Sequence, residues 1–193
     1  RMTAQQLKNS ILLMAVQGKL VPQDPNDEPA SVLLERIHAE KERLIKEKKI
    51  KREKNPSVIF KGADNLPYEK VGKNEPVCIA DEVPFEIPES WEWVRLGNIF
   101  QHNTGKALNA SNRTGSLLPY ITTSNLYWDR FELGNLREMY FSENEIEKCT
   151  ATKGDLLVCE GGDIGRAAIW MFDEDIRIQN HIHKLRSYTE VCT

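Results

Sequence analysis

The spacing of apolar residues changes once along this chain, and that change limits the possible folds more than any other feature of the sequence. Before residue 55 the apolar residues recur at helical spacing, whereas after residue 82 they fall into short runs separated by glycine, proline and polar residues. Short apolar runs with such punctuation are typical of strands. Helices and strands are therefore segregated along the sequence, which favours an α+β fold over an array of βαβ units.

The first 54 residues predict a pair of helices. Leu7 and Ile11 share one face of a helix over residues 3–17, and further apolar residues widen that face beyond what one neighbour can cover. A second helix is predicted over residues 30–51, with Asp27 as its N-cap and lysines near its C-terminus, where the helix dipole favours them. A proline-rich connector separates the two helices.

The part of the chain after residue 82 predicts a mixed α/β domain with a twisted, mostly antiparallel sheet. The expected strands cover residues 91–96, 118–123, 155–159, 167–171 and 181–185. Residues 142–146 are typical of the start of a short capped helix. Residues 55–81 lack clear periodicity and predict a linker, in which residues 58–60 could form a short strand.

The composition excludes several classes of protein. The chain has 193 residues, of which 40% are hydrophobic and 28% charged, so we expect a folded core. No apolar run approaches the roughly 20 residues that span a bilayer, and no signal peptide is visible, which favours a cytoplasmic location. The four cysteines include no CxxC pair, so we expect reduced thiols.

Charge is distributed unevenly along the chain. Residues 1–80 carry 15 Lys and Arg against 11 Asp and Glu, whereas residues 81–193 carry 11 against 18. Proteins that bind nucleic acid are usually basic where they bind. The acidic second part therefore argues against DNA binding by charge alone.

The most informative motif is a glycine-rich turn after a buried-strand pattern in residues 154–166. One interpretation is a loop that binds a nucleotide phosphate through Gly161, Gly162 and Gly165, which requires a helix to follow. The GxGxxG pattern is incomplete, and the next residues are more typical of a strand. The other interpretation is a tight turn that presents Arg166 or bare backbone to a partner.

A second polar motif occupies residues 179–184. On a strand, His181 and His183 share one face, and Cys159 could complete a metal site, although no ligand spacing supports it. The alternatives are a polar sheet edge, or base recognition, because Asn and Gln pair with adenine. Hydrolytic chemistry is not predicted, since the acidic residues are scattered and no nucleophile-elbow motif occurs.

Several segments together resemble the specificity subunit of type I restriction-modification systems. Residues 7–37 carry the leading match, including the run Gln17-Gly18-Lys19-Leu20-Val21-Pro22-Gln23. Residues 83–97 resemble the opening of a target recognition domain. Three shorter motifs, in residues 119–125, 154–166 and 179–182, follow in the order that the family shows.

The resemblance implies a non-catalytic subunit that reads one half of a bipartite target in double-stranded DNA. The implied partners are methyltransferase (modification) subunits and a restriction/translocase subunit, and a fragment of this kind could also self-associate. S-adenosylmethionine, ATP and Mg²⁺ are expected on those partner subunits, with no cofactor in this chain. The implied domains are a helical region for subunit contact over residues 1–54, a linker over 55–81, and a target recognition domain over 82–193 that is truncated at its C-terminal end.

The resemblance and the composition together define two sets of candidate residues, with no catalytic residue and no metal ligand among them. The side chains expected near DNA are Lys106, Asn109, Asn112, Arg113, Thr123, Ser124, Asn125, Tyr127, Arg166, Gln179, Asn180 and His181. The side chains expected at a subunit interface are Leu7, Ile11, Leu13, Met14, Leu34, Ile37 and Leu44.

Two other functions are compatible with the sequence. The first is a nucleotide-binding enzyme domain centred on Gly161, Gly162 and Gly165, which ATP or a dinucleotide would stabilise against heat. The second is a helical interaction module, for which the C-terminal domain is only a spacer.

Overall fold

A computed structural model describes residues 2–109, 111 and 113–189, and the chain divides into two compact units, Arg1–Ile99 and Phe100–Thr193. The helices of the first unit are α1 (Ala4–Val16), α2 (Ala30–Lys46) and α3 (Leu96–Ile99). Its strands are β1 (Ser57–Lys61), β2 (Pro67–Val71) and β3 (Val77–Cys78). None of the helices in the described residues is long and apolar enough to cross a membrane.

Capping residues and local backbone conformation set the ends of the two long helices. Thr3 and Gln6 form a reciprocal capping box at the start of α1, with hydrogen bonds of 3.2 and 2.9 Å. The prediction that Asp27 caps α2 is wrong, because Pro29 occupies the N-cap and makes no side-chain bond. The second helix also ends at Lys46 rather than residue 51, since Lys48 adopts a left-handed conformation with φ of 59°.

Residues 55–81 contain strands, where the sequence predicts a linker. Strands β1, β2 and β3 form an antiparallel sheet in that order, and the rings of Phe60 and Tyr68 stack across β1 and β2 at 6.2 Å. The turn between these strands depends on Asn65, whose φ is 64°, and on Asp64, which accepts from the Leu66 N–H. The short strand expected at residues 58–60 is confirmed as part of β1, whereas β2 and β3 show no clear periodicity in the sequence.

The predicted strand over residues 91–96 is wrong. Aromatic and charged residues alternate in this segment, which is typical of a strand, but their side chains have separate partners. Trp91 donates to Gln23, Trp93 packs on Phe85, and Arg95 binds Glu69. The backbone from Trp91 to Arg95 pairs with no strand, and Leu96 already begins α3. The Arg95 guanidinium lowers the pKa of the Glu69 carboxyl to about 2.

The second unit holds the larger sheets. Its strands are β4 (Phe100–Thr104), β5 (Ser116–Ile121), β6 (Leu126–Tyr127), β7 (Arg130–Phe131), β8 (Arg137–Phe141), β9 (Thr150–Ala151), β10 (Leu156–Cys159), β11 (Ala167–Ile169), β12 (Ile176–Ile178) and β13 (Ile182–Ser187). A 3-10 helix covers Thr123–Asn125, and α4 covers Glu143–Cys149 after a Ser142 capping box.

Two four-stranded sheets enclose the core of this unit. The first sheet has the order β11-β10-β13-β4 and is antiparallel throughout. The second has the order β8-β5-β12-β9, in which only the β5–β12 pair is parallel. The predicted α+β class is confirmed, and strands expected in one sheet lie in two. The apolar side chains of the core with 0% exposure are Ile121, Leu126, Phe141, Ala151, Leu157, Ile178 and Ile182.

Gly105 lies where the two sheets meet. The Lys106 N–H donates to Ile178 O, and the Asn180 N–H donates to Lys106 O, each at 2.9 Å. A Cβ atom at Gly105 would lie 2.2 Å from Ile178 O, so only glycine permits the backbones to approach this closely. The junction places the ends of β4, β12 and β13 together.

Candidate nucleic-acid interface

The glycine-rich segment forms the loop of a hairpin between β10 and β11. The Cys159 N–H donates to Arg166 O at 2.8 Å and the Gly165 N–H to Cys159 O at 3.0 Å, which closes the base of the loop. Gly162 and Gly165 adopt φ values of 72° and 89°, which favour glycine. An antiparallel strand follows the glycines, so the helix that a phosphate loop requires is absent here. The structure contradicts the nucleotide-loop interpretation and agrees with the tight turn.

The Arg166 side chain extends from this hairpin and contacts two other segments. Its Nη2 donates to Thr123 O at 2.8 Å, and its guanidinium lies over the Tyr127 ring, 5.0 Å from the ring centroid. Nη1 lies 3.6 Å from the Asp163 carboxylate, and only 12% of the side chain is exposed. Arg166 therefore fixes the 3-10 helix and strand β6 against the glycine-rich loop.

The Tyr127 ring lies between two guanidinium groups. Arg130, on β7, places its guanidinium 4.9 Å from the ring centroid, and its side chain is largely exposed. The turn between β6 and β7 is held against the hairpin because the Asp129 N–H donates to Ala167 O at 3.1 Å. The recognition surface, as named from here on, comprises Thr123, Ser124, Tyr127, Trp128, Arg130, Ile164 and Arg166.

Three of the predicted DNA-contacting residues have structural partners in the interior. Lys106 is 8% exposed, and its ammonium donates to Tyr140 O and the Glu145 carboxylate at 2.6 and 2.7 Å. This hydrogen bond lowers the pKa of Glu145. The Asn125 amide is equally committed, since it accepts from Thr122 N–H and donates to Glu132 O.

Gln179 is also buried, and its amide donates to the Asn180 side chain at 2.8 Å. These three side chains stabilise turns and sheet junctions, and in this conformation they do not present free hydrogen-bonding groups at the surface.

The remaining predicted residues lie in two places. Asn109 and Arg113 are exposed between β4 and β5, and Asn112 is outside the described residues. Asn180 and His181 precede β13, where the Glu160 N–H donates to His181 O at 2.9 Å. This bond places His181 beside the glycine-rich loop and thus near Arg166 in the fold. Whether any of these residues contacts DNA stays a prediction.

His181 and His183, which the sequence suggests as a pair of metal ligands, have different surroundings in the structure. The His183 Nδ1 lies 2.7 Å from His102 Nε2, and its Nε2 lies 3.3 Å from the Glu160 carboxylate, whereas His181 is in the preceding turn. Cys159 is buried on the opposite face of the sheet, where burial raises the pKa of its thiol. Across the described residues, no group of three or more His, Cys, Asp or Glu is arranged to hold a metal ion.

Two charged side chains of β13 bind groups in the interior of the unit, although the Arg186 side chain itself is 39% exposed. The Arg186 guanidinium binds both oxygens of buried Asp155 at 2.7 Å, which raises the pKa of the arginine. Lys184 is 2% exposed and donates to two carbonyl oxygens, Lys148 O at 3.0 Å and Thr150 O at 2.7 Å. Burial lowers the pKa of the Lys184 ammonium.

Sequence reasoning missed three members of the recognition surface: Trp128, Arg130 and Ile164. Trp128 is 64% exposed and Ile164 is 79% exposed. In the sequence all three lie beside a residue typical of turns: Trp128 and Arg130 flank Asp129, and Ile164 precedes Gly165. In the structure both of these turn residues have positive φ. Apolar residues at turn tips are rarely placed there by packing.

The predicted subunit-interface residues differ in exposure. Helix α1 has no buried residue, and between 41% and 53% of Leu7, Ile11, Leu13 and Met14 is exposed. Leu34 and Leu44 on α2 are half-buried. Ile37 is only 2% exposed, so it belongs to the core of the first unit and cannot form part of a free apolar surface. The contact prediction is untested for the others.

The second unit thus contains one antiparallel and one mixed four-stranded sheet, and its short turns carry arginine, aromatic and apolar side chains. The family model described as the type I restriction modification DNA specificity domain matches residues 88–191, more than half of the chain. The chain belongs to this family, which confirms the resemblance seen in its sequence.

Two curated relatives come from Escherichia coli. The type I restriction enzyme EcoAI specificity subunit is 44% identical over 120 residues, which are 62% of this chain and 17% of that protein. The EcoEI specificity subunit is 37% identical over 163 residues, which are 84% of this chain and 22% of that protein. The chain therefore spans about a fifth of the length of these relatives.

One similar solved structure is the HsdS subunit from Thermoanaerobacter tengcongensis. It has a TM-score of 0.40 and 16% sequence identity, over 95% of this chain and 37% of that chain.

Proposed function

We propose that this chain provides sequence-specific recognition of double-stranded DNA within a type I restriction-modification complex, where it reads one half of a bipartite target. The observation that carries the proposal is the match of residues 88–191 to the DNA specificity domain family. That range contains the whole recognition surface. The proposed role of the protein is to select the site, and it performs no chemistry itself.

The geometry of the recognition surface supports this role. Arginine with an aromatic ring is a frequent combination in nucleic-acid contacts, because guanidinium groups bind guanine edges or phosphates and stack on rings. Thr123 and Ser124 add hydroxyl groups, and the Ser124 hydroxyl is within 2.7 Å of Thr122 Oγ1. Ser and Thr hydroxyl groups can contact phosphates or base edges.

The proposal assigns the chemical steps to partner subunits. Methyltransferase subunits would bind S-adenosylmethionine, and a restriction/translocase subunit would use ATP and Mg²⁺. These partners would also supply much of the positive charge that DNA phosphates require, which accounts for an acidic second unit in a DNA-reading protein.

The decisive experiment is a change of target in the assembled complex. The protein carrying this chain is co-expressed with its methyltransferase subunit, and adenine methylation is mapped across the host genome. We expect a split recognition sequence whose one half changes when residues 100–193 are exchanged for those of a relative. A complex that assembles and methylates with an unchanged target after the exchange would refute the proposal.

The subunit-contact part of the proposal is tested on α1. Leu13→Glu places a carboxylate on the exposed apolar surface of the helix, and we expect it to reduce co-purification of the methyltransferase subunit at least about tenfold. Lys8→Glu on the same helix is the matched control and is expected to assemble normally. Because Leu13 is exposed, neither variant should lower the melting temperature of the protein. Normal assembly of Leu13→Glu would remove α1 from the interface.

A further inference from the structure

The recognition surface includes an apolar side chain at the tip of a rigid hairpin. Ile164 is 79% exposed, more than any other large apolar residue in the described part of the chain. It follows Gly162 and Asp163 in the loop, so no neighbouring bulky side chain covers it. Trp128, on the adjacent β6–β7 turn, is 64% exposed. Single exposed apolar side chains are ordinary on protein surfaces, whereas several on neighbouring turns form an apolar patch, and such patches commonly mark a contact with another molecule.

The loop that carries Ile164 is fixed before any partner binds. Two backbone hydrogen bonds between Cys159 and residues 165–166 close its base, and the Arg166 side chain is held by Thr123 O and the Tyr127 ring. A loop that is already ordered loses little conformational entropy on binding. The hairpin can therefore insert a single side chain into a partner with little loss of conformational entropy.

The charges around Ile164 are nearly balanced. The Arg166 guanidinium lies 3.6 Å from Asp163, and the Arg130 guanidinium lies 3.4 Å from Glu132. A surface with paired charges attracts phosphates weakly, so a DNA contact made here must depend on apolar contact and on the shape of the duplex. Ile, Leu, Phe, Met and Pro are the side chains that proteins insert between base steps for this purpose.

We propose that Ile164 inserts between two base pairs of the bound DNA, with Trp128 in apolar contact with the same stretch, so that the half-site is selected partly by how easily one base step opens. This inference rests on the proposed function, since it requires that the recognition surface faces DNA. Pyrimidine–purine steps unstack most readily, and the step that receives Ile164 is therefore expected to be of that type.

The test uses the assembled methyltransferase complex and duplexes carrying the target found by methylation mapping. 2-Aminopurine replaces one base at a time across the half-site, and its fluorescence reports loss of stacking. The adenine that becomes methylated is left out, because methyltransferases extrude their target base. We expect one further step in the half-site to show increased fluorescence with the wild-type protein.

Variants separate insertion from simple proximity. Ile164→Ala is expected to abolish the increase at that step and to weaken target binding at least about tenfold, because the buried apolar contact is lost. Trp128→Ala is expected to weaken binding without moving the position of the step. Met171→Ala is the control, since Met171 is 64% exposed but lies at the other end of β11 from Arg166.

The outcomes distinguish the inference from the function on which it rests. Tight target binding by the wild-type complex with no unstacked step other than the methylated base overturns insertion and leaves DNA recognition intact. An increase that persists in Ile164→Ala also overturns it. Failure of residues 100–193 to determine the target would instead remove the proposed function.

Discussion

Lys184 is a buried ammonium group whose two hydrogen-bond partners are neutral carbonyl oxygens. Burial lowers the pKa of this lysine in the folded protein, while the unfolded chain restores the ordinary value near 10.5. Between those two values the unfolded state binds more protons, so the free energy of unfolding should rise with pH, by about 1.4 kcal/mol per unit of difference in pKa. Urea unfolding from pH 7 to pH 10.5 measures this slope.

The variant that isolates the effect is Lys184→Met, which fills the same space without a titrating group. We expect the alkaline rise in stability to disappear in Lys184→Met and to persist in Lys153→Met, because Lys153 is exposed and pairs with Asp173 at the surface. Equal slopes in wild type and Lys184→Met would show that Lys184 retains its ordinary pKa despite its burial.

Arg166 contributes through the planar shape of its guanidinium group. Lysine would keep the charge but lose both the stack on Tyr127 and the geometry of the bond to Thr123 O. We expect Arg166→Lys to lower kcat/KM for target methylation by the assembled complex about tenfold to a hundredfold. Arg130→Lys, on the other side of the same ring and largely exposed, should lower it less. Unchanged methylation by Arg166→Lys would exclude this residue from recognition.

Single residues also show where sequence reasoning about the site stops. The sequence suggests Arg166, Lys106 and Asn125 equally, because all three are residue types suited to nucleic acid. In the structure Lys106 and Asn125 are held by partners in the scaffold. Arg166 is also largely held, by Thr123 O and the Tyr127 ring, with 12% of its side chain exposed. These contacts depend on partners far away along the chain, such as Glu145 for Lys106. Residue type predicts which bonds a side chain can form, whereas the tertiary fold decides which partner it meets.

At the scale of elements, Gly105 controls the junction between the two sheets. A Cβ at this position would overlap the carbonyl oxygens of Ile178 and Gln179, which belong to backbone and cannot move aside cheaply. We expect Gly105→Ala to lower the free energy of unfolding by about 3 kcal/mol. Gly134→Ala, where an added Cβ meets nothing within 4 Å, should change it by less than about 0.5 kcal/mol. Urea unfolding of both variants measures the difference, and equal stabilities would show that the junction can widen.

The strength of local signals determines which elements the sequence predicts. Helix α1, helix α4 and strands β5, β10, β11 and β13 have local signals, either a cap or an apolar run between turn residues, and their predicted positions are confirmed to within a few residues. Strands β6, β7 and β9 have two residues each, which is too short for periodicity. The parallel pairing of β5 with β12 joins Tyr120 to Arg177 across 57 residues and leaves no local signal.

At the scale of the whole molecule, charge separates the two units. Residues 1–99 carry equal numbers of cationic and anionic side chains, 16 of each, and residues 100–193 carry 10 Lys and Arg against 13 Asp and Glu. At least seven of those ten cations already bind carbonyl or carboxylate oxygens of the same unit: Lys106, Arg130, Lys153, Arg166, Arg177, Lys184 and Arg186. Few cations of the second unit therefore remain for phosphate contact.

This balance predicts how salt affects DNA binding. Each phosphate that a protein neutralises contributes about −0.9 to the slope of log K against log salt concentration. For the chain alone we expect weak binding with a shallow slope of about −2 or less in magnitude, and for the assembled complex a slope steeper by at least about 2. Both slopes are measured by fluorescence anisotropy of a labelled target duplex, at salt concentrations from about 50 to about 300 mM. If the chain alone showed the same slope as the complex, this protein itself would hold the phosphates. The first cations to replace would then be those of α2 and of the residues that follow it, for example in the double variant Lys51→Gln with Lys54→Gln.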